Sequence, residues 1–366
     1  MASIPEGIQL TPFDPEFERD PYGVYARLRE AAPVHWDGMA YSVSGYAEVA
    51  TLLKDQRLTV DPRKLDIARD PRADNAVTNR APDMMNLDAP EHTRLRQLVS
   101  RAFTPTSVNA FRPRIEAIAQ SLVAQLPQSF DAVTLFAKPL PTIVIAEYIG
   151  MDASRHEAFK SWTDTLLMQG YPIPSPQQWD AIVAADAAMR GCMTEVVEAR
   201  KRSPREDFVS RLLESDASDV EVVEMCSLLV GAGNFTTTDL IGNALLQFTD
   251  ADRERLPKFV DDVLRLDPPA QSVRRWALED IDIAGTTIKA GSMVLLFIGA
   301  ANHDPAGSSH LAFGRGIHHC LGAGLARLEV EVALAEFPAF TVRSAKLRKS
   351  MLFRGYSSIV VDRAPG

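Results

Sequence analysis

One cysteine in a glycine-rich loop, followed by an apolar stretch that favours a helix, constrains this chain most. The loop is Phe313-Gly314-Arg315-Gly316-Ile317-His318-His319-Cys320-Leu321-Gly322, and the helix-forming residues 325–337 follow it. A helix N-terminus supplies N–H donors and a positive potential, and both favour the thiolate form of cysteine. Glycine allows sharp turns and close contact between backbone and ligand. The loop therefore predicts that Cys320 is a thiolate ligand of a flat metal cofactor, with Phe313 keeping water from the sulfur.

The spacing Phe-Gly-x-Gly-x-His-x-Cys-x-Gly resembles the haem-binding signature of the cytochromes P-450, and every specified residue is present. The resemblance implies a cytochrome P-450 fold, mainly α with a minor β region, as a single domain over residues 1–366. It also implies that Cys320 is the proximal ligand of haem b (iron protoporphyrin IX), whose thiolate favours O–O cleavage. A buried structural cysteine beside a turn is the alternative explanation of this loop.

Composition places the chain among ordinary globular proteins. Of its 366 residues, 46% are hydrophobic and 24% are charged, and no Pro/Gly/Ser-rich linker divides them. The net charge of -9 argues against binding to nucleic acid or to an anionic membrane. The sequence contains neither a recognisable signal peptide nor an apolar run of membrane-spanning length, so we expect no membrane association and a cytoplasmic location.

A second informative segment is Val230-Gly231-Ala232-Gly233-Asn234-Phe235-Thr236-Thr237. It lies in a long stretch predicted to be one helix, which Ser218 and Glu221 begin with a capping-box pattern. Each glycine costs a helix about 1 kcal/mol relative to alanine, so another group must approach closely here. The resemblance implies that the segment crosses the distal haem face, with Gly233 against the cofactor and Thr236 supporting dioxygen and proton delivery. Tight helix packing is the alternative reason for the glycines.

Position 235 departs from the family pattern, in which an acidic residue precedes the threonine. Because the ring of Phe235 cannot relay a proton, two hypotheses are open. In the first, water and Thr236, helped by Asn234, deliver protons in a monooxygenase. In the second, the enzyme uses peroxide or catalyses a non-oxygenase reaction.

A third hypothesis is a non-catalytic haem-binding relative or sensor. Asp262 occupies the glutamate position of the family's Glu-x-x-Arg pair with Arg265, and its reach is shorter. The segment between Asn302-His303-Asp304-Pro305 and the cysteine loop is also short. We therefore expect weakened haem retention or local disorder over residues 304–311.

Two basic side chains predict an anion site. His92 and Arg96 are four residues apart and share one face of a predicted helix, where two donors suit a carboxylate. The resemblance assigns both to one haem propionate, Arg275 to the other, and His318 to a further contact. A solvated basic face is the alternative for the first two. Arg315 is expected to meet either a propionate or a redox partner.

The remaining expectations concern substrate and electrons. The resemblance places these apolar residues around the substrate: Met84, Met85, Leu229, Phe235, Val273 and Phe353. They predict a small hydrophobic or aromatic substrate positioned by shape, although core packing is the alternative for each. The resemblance implies that this substrate is hydroxylated or dealkylated by use of dioxygen. The sequence shows no flavin or iron–sulfur module, so electrons are expected from separate partners, which the resemblance implies are ferredoxin and ferredoxin reductase.

Overall fold

The computed structural model describes residues 2–11, 13–65, 83–152, 155–166, 175–350 and 352–364. Its α-helices are α1 (Pro15–Arg19), α2 (Pro21–Ala31), α3 (Tyr46–Leu52), α4 (Glu91–Ser100), α5 (Pro105–Ala110), α6 (Arg112–Val123), α7 (Pro139–Ile149), α8 (His156–Leu166), α9 (Pro176–Arg202), α10 (Phe208–Leu213), α11 (Asp219–Gln247), α12 (Leu256–Leu266), α13 (Ile298–Asn302) and α14 (Ala323–Glu336). Its strands are β1 (Val34–Trp36), β2 (Ala40–Val43), β3 (Leu58–Thr59), β4 (Ser129–Asp131), β5 (Ser272–Ala277), β6 (Ile281–Ile283), β7 (Thr286–Ile288), β8 (Met293–Phe297), β9 (Phe340–Leu347) and β10 (Tyr356–Arg363). The expected helix-rich fold with a minor β region is confirmed.

Helix α11 is the central element. Its N-terminus carries the expected capping box: the Glu221 N–H donates to Ser218 Oγ at 3.3 Å, and the Ser218 N–H donates to the Glu221 carboxylate at 2.8 Å. The helix then packs against α7, α9 and α14, and most of its side chains are buried. Within the described ranges, no helix combines the length and the apolar character needed to cross a bilayer.

Two sheets and a small hairpin form the β region. The largest sheet has the strand order β1-β2-β8-β5-β3, in which β2 and β8 are parallel and the other neighbours are antiparallel. The second sheet has the order β4-β10-β9, and β6 pairs with β7. Because alternate residues of a strand share a face, β5 presents Val273 and Arg275 on the same side.

The short segment before the cysteine loop, residues 304–311, is held by specific hydrogen bonds. The Asp304 carboxylate accepts the Tyr46 N–H at 2.8 Å, and the Asn302 side-chain oxygen accepts the Leu311 N–H at 2.6 Å. These bonds join both ends of the segment to helices α3 and α13. The expected local disorder is therefore wrong, because neighbouring helices supply the contacts that a longer connection would supply itself.

Two ion pairs hold the described part of the turn between β9 and β10, residues 348–350 and 352–355. Arg348 binds Asp239 of α11, whose side chain has 0% exposure. Arg354 Nε donates to Asp267 Oδ1 at 2.8 Å, just beyond the end of α12. Two separate elements thus hold the same turn in place.

We expect Arg348→Met to destabilise the protein more at basic pH than at acidic pH. Burial raises the pKa of Asp239 to about 6, and Arg348 opposes that rise. Without the cation the carboxyl must be buried as an unpaired anion above its pKa, whereas below it the carboxyl takes up a proton. The expected loss of unfolding free energy, measured with urea, is about 3 kcal/mol at basic pH and clearly smaller near pH 5. In the Asp239→Asn background, Arg348→Met should show no such pH dependence; equal losses at both pH values would contradict the expectation.

Candidate functional site

The cysteine loop is closed by its own backbone. The Cys320 N–H donates to the Phe313 carbonyl at 2.8 Å, and Gly314 and Gly316 have φ angles of 69° and 75°. Residues other than glycine rarely adopt such positive φ angles. A Cβ on Gly316 would also lie 2.9 Å from the Leu53 carbonyl oxygen. The second glycine is therefore required both by backbone conformation and by close packing of the loop on the end of α3.

The sulfur lies at the floor of a cleft. The Cys320 side chain has accessible surface, although protein atoms surround most of it. Burial raises the pKa of the Cys320 thiol, whereas the Gly322 N–H and the charges of Arg96 and Arg327 lower it in part. Because burial has the larger effect, the pKa of Cys320 stays above its ordinary value although these neighbours favour the thiolate. A metal cation bound to the sulfur would complete its stabilisation.

Four nitrogen-bearing side chains converge beside this cleft. The rings of His92 and His318 have centroids 4.5 Å apart. Burial lowers the pKa of His318 to about 3, with the charges of Arg275 and His92 adding to the effect. Burial and the charge of Arg96 lower the pKa of His92. The structure thus brings together the four predicted propionate ligands.

This cluster fits the carboxylates of haem. Buried His92 Nδ1 and His318 Nε2 have no hydrogen-bond partner among the described residues. Burial also lowers the pKa of both Arg96 and Arg275. The charge of Asp88 reaches the cluster, but its carboxylate is already bound by Thr59, Val60 and Lys64. Carboxylates placed beside this cluster would offset the effect of burial and favour the charged forms of the four side chains.

Helix α11 presents one accessible stripe. Leu228, Ala232 and Thr236 recur every four residues and retain solvent exposure. Gly231, Gly233 and Phe235 are partly exposed as well, whereas residues 222–227 before them and 237–245 after them are buried. The Thr236 hydroxyl donates to the Ala232 carbonyl at 2.9 Å. Leu229 is only 7% exposed and lies in a hydrophobic cluster. This burial does not support its expected substrate contact, and Leu228 is the leucine on the stripe.

Two further expectations on α11 are corrected. A Cβ on Gly233 would meet Ile145 of α7 at 3.3 Å, so close helix packing explains this glycine. The Asn234 amide is held between two hydroxyls: it donates to Thr163 at 2.9 Å and accepts from Thr142 at 3.1 Å. Asn234 therefore faces α7 and α8, and its expected role in proton delivery is not supported by its position.

The predicted substrate residues divide into two groups. Phe235 and Phe353 meet edge to face, with ring centroids 4.7 Å apart. Val273 is half-buried on β5, on the same face as Arg275. Met84 is buried in the same hydrophobic cluster as Leu229, so it belongs to the core; Met85 is 55% exposed. Fewer of the predicted substrate residues are therefore accessible than the sequence led us to expect.

The expected pair between Asp262 and Arg265 does not form. Asp262 binds Lys258 at 2.8 Å on the same helix, and its side chain is 41% exposed. The Arg265 guanidinium instead lies 3.5 Å from the Gly307 carbonyl oxygen. The shorter acid thus takes the nearer cation, and the arginine supports the short segment before the cysteine loop.

The preceding acid, Asp261, makes the contacts that reach the cysteine loop. Its Oδ1 accepts from Arg327 Nε at 2.9 Å and lies 3.4 Å from His310 Nε2. The Arg327 guanidinium also lies over the Phe313 ring, 4.6 Å from its centroid. This path connects α12 to the loop through α14, and sequence spacing alone did not indicate it.

Arg315 makes hydrogen bonds within the protein. Its guanidinium donates to the Tyr46 hydroxyl at 2.9 Å and to Ser309 Oγ at 2.8 Å. The arginine therefore ties the cysteine loop to α3 and to the short segment before the loop.

Comparisons with known proteins find a matching family model and similar chains. The family model described as "Cytochrome P450" matches residues 247–307. The chain is 35% identical to "Vitamin D(3) 25-hydroxylase" of Pseudonocardia autotrophica, with 96% of each chain covered. That alignment runs over 396 positions, more than the 366 residues here, so the relative has internal residues that this chain lacks.

Solved structures give the same result. One is P450BioI in complex with hexadec-9Z-enoic acid ligated to acyl carrier protein, with a TM-score of 0.88, 31% identity, and coverage of 95% of this chain and 100% of that one. Another is the myxobacterial cytochrome P450 CYP267B1 in complex with myristic acid, with a TM-score of 0.86, 30% identity, and coverage of 97% and 99%.

Replacing Cys320 with serine should abolish the far-shifted Soret band that thiolate ligation gives the reduced, carbon monoxide-treated haem protein. An alcohol stays protonated where a thiol can ionise, so it cannot offer the same anionic ligand. The measurement is the visible absorption spectrum after haemin is added. Cys226→Ala, at a buried cysteine of α11, should keep the band. An unchanged band in Cys320→Ser would contradict the assignment.

Asp261→Asn should weaken haem retention more than Asp262→Asn. The first substitution removes the carboxylate that holds Arg327, whereas the second affects an exposed pair with Lys258. Haem transfer to excess apomyoglobin should become about two- to fivefold faster for Asp261→Asn, as expected for a half-exposed ion pair. Asp262→Asn should transfer haem at nearly the original rate. Equal rates in the two variants would show that Asp261 has no special part in haem retention.

Proposed function

Because this chain belongs to the cytochrome P450 family, we propose that it oxidises an apolar compound beside the accessible stripe of α11, using dioxygen and electrons from a ferredoxin. Relatives are named hydroxylases, and the chain is accordingly a monooxygenase-type oxidoreductase that binds haem b. The observation that carries the proposal is the convergence of the Cys320 thiol with four donors suited to carboxylates. The cytoplasmic location and the single domain over residues 1–366 stay predictions.

On the proximal side, the residues would secure the cofactor. When bound, haem b supplies the activation of dioxygen. Cys320 would ligate its iron, and the Gly322 N–H and the charges of Arg96 and Arg327 favour the thiolate. The donors His92, Arg96, Arg275 and His318 would hold the propionates.

On the distal side, Thr236 is the residue best placed to orient water. Its hydroxyl hydrogen is donated to the Ala232 carbonyl, so its oxygen is left to accept a hydrogen bond on the accessible side. Water molecules would then deliver protons along the stripe. Phe235 contributes no proton, and its contact with Phe353 makes this wall apolar.

A peroxide-dependent or non-oxygenase enzyme is the second candidate. The arrangement at positions 234 and 235 favours it, because the Asn234 amide is bound to two threonines and Phe235 is engaged with another ring. Hydrogen peroxide carries its own protons, so its use would not need an acid at this place. A non-catalytic haem-binding relative is a weaker alternative, since the short segment before the cysteine loop is well held.

The apolar wall supports a hydrophobic substrate. Phe235, Phe353, Val273 and Leu228 offer shape rather than charge. Met85 stays a predicted contact. The similar structures hold a hexadecenoyl chain and myristic acid, so fatty acids are the first substrates to test alongside small aromatic compounds.

Electrons would enter from the outer side of the cysteine loop. Lys54 is exposed and lies against Gly316, and Ile317 is 42% exposed beside it. A cationic, partly apolar surface suits an acidic ferredoxin, which ferredoxin reductase would reduce.

Phe235→Asp should raise dioxygen-dependent turnover by about tenfold or more, because a positioned acid would then assist proton delivery. The assay follows product formed with NADPH, a surrogate ferredoxin and its reductase, using substrates chosen by their shift of the ferric spin state. Phe235→Leu, which removes the ring without adding an acid, should not show the gain.

Peroxide-supported turnover should be unchanged by Phe235→Asp. If dioxygen-dependent turnover is also unchanged, the acid position does not limit the reaction. Product formation by the natural sequence only with peroxide would favour the second candidate over the first.

A further inference from the structure

Phe353 forms a partition between the accessible stripe of α11 and an outer crevice. One side of its ring meets Phe235. The same residue lines a crevice on the outer surface, together with Phe17 and Tyr25 of the N-terminal helices and Arg348 of its own turn. Phe353 therefore contacts α11 next to Thr236 and also borders the outer surface.

The ring is placed by the backbone of the turn that carries it. The Gln271 N–H donates to the Leu352 carbonyl at 2.8 Å, and the Arg354 N–H donates to the Pro269 carbonyl at 2.7 Å. These bonds hold the residues on either side of Phe353 against the start of β5. The ion pairs of Arg348 with Asp239 and of Arg354 with Asp267 add side-chain contacts to the same turn.

Asp239 connects this turn to the helix that carries Thr236. Asp239 and Phe235 are four residues apart, so α11 presents both to the same neighbour. The ring of Phe235 meets Phe353, and the carboxylate of Asp239 lies directly under the backbone of Gly355. A Cβ on Gly355 would be 2.1 Å from Asp239 Oδ1, which shows how tightly the turn rests on the acid.

Holding a turn with a buried ion pair costs desolvation free energy. The Asp239 side chain has 0% exposure, and its Oδ1 has no hydrogen-bond partner in the described part of the chain. Apolar side chains of similar volume would often stabilise such a place as well or better. A directional contact, by contrast, defines one position of the turn.

We propose that the Asp239–Arg348 pair positions Phe353 and thereby sets the length of the apolar ligand accepted beside α11. Asp239 and Arg348 are positioning residues, and Phe353 is the wall that touches the ligand. This inference deepens the proposed function and rests on it. It assigns ligand length to a charge pair that itself lies outside the ligand's reach.

The pair should respond to pH. Asp239 is neutralised below about pH 6, because burial raises its pKa to about 6 against the opposing charge of Arg348. The other ionisable groups around the turn are Asp267, Arg354, Tyr22 and Tyr356. Below that pH the attraction for Arg348 falls and the turn is held less tightly. Above it, the pair is intact.

The test measures ligand length directly. Two series are titrated into the ferric haem protein and followed by absorption: fatty acids from octanoic to hexadecanoic acid, and imidazoles with phenyl and naphthyl groups. The readout is the ratio of affinities for the longest and shortest member of each series, which cancels the ionisation of a shared head group. Asp239→Asn, Arg348→Met and Phe353→Ala should each raise this ratio by about tenfold, comparable to accommodating about two more methylene groups.

Three comparisons make the result specific. Arg348→Lys, which keeps the charge, should retain most of the original ratio. Asp262→Asn, the same change at an exposed pair on α12, should leave it unaltered. The natural sequence should show a higher ratio near pH 5 than near pH 8, and Asp239→Asn should lose this difference.

The inference is overturned if Phe353→Ala raises the ratio while Asp239→Asn and Arg348→Met do not, or if the ratio is independent of pH. Should a variant fail to fold, Arg348→Lys and the pH comparison on the natural sequence decide the matter. If fatty acids give no spectral change but the imidazoles show the expected length effect, the proposed substrate class fails while the inference stands.

Discussion

The constraint on which this structure depends is the need to keep a buried sulfur anionic. Burial by itself favours the neutral thiol of Cys320, and the N–H of Gly322 and two arginine charges offset this only in part. Nearby histidines and arginines lack negative charge around them, and burial lowers the pKa of His318 and of Arg275. One cofactor carrying a metal cation at its centre and carboxylates at its edge meets both needs at once. The cleft is thus electrostatically incomplete in a way that matches haem.

The surrounding elements serve to keep this loop in one position. Gly316 allows the loop to rest on the end of α3, and Arg315 reaches Tyr46 in that helix. From the other side, Asp261 orients Arg327 against the Phe313 ring. These contacts come from elements far apart in the chain. They explain how a short segment can lead into a loop that is held on both sides.

On α11, a threonine and an aromatic residue stand next to each other. Thr236 lies on the accessible stripe, yet the position before it holds an aromatic ring that contacts Phe353. The turn bearing Phe353 is in turn fastened to Asp239 on the same helix. Position 235 holds no acid, and Asp239, one helical turn later, binds Arg348 of that turn. Phe235 and Asp239, one helical turn apart, therefore both join α11 to the turn that carries Phe353.

Short-range features were predictable from the sequence because neighbouring residues make them. The cysteine loop, the capping box at Ser218 and the shared face of His92 and Arg96 depend on spacing within a few residues. The orientations of Gly233, Asn234 and Leu229 were not predictable. Helix α11 is apolar on most sides, so its periodicity shows which residues share a face without showing what each face meets. Likewise, two adjacent acids on α12 looked equivalent, and only Asp261 points to Arg327.

The sequence by itself determined the helix-rich fold, indicated Cys320 as the candidate thiolate ligand and identified the basic residues that meet beside the cleft. Only the tertiary structure decided which side of α11 is accessible, which acid supports the cysteine loop and what holds Phe353 in place. The reason is physical: local hydrogen bonds depend on residues close in the chain, whereas the facing of a helix depends on packing against elements that are distant in sequence.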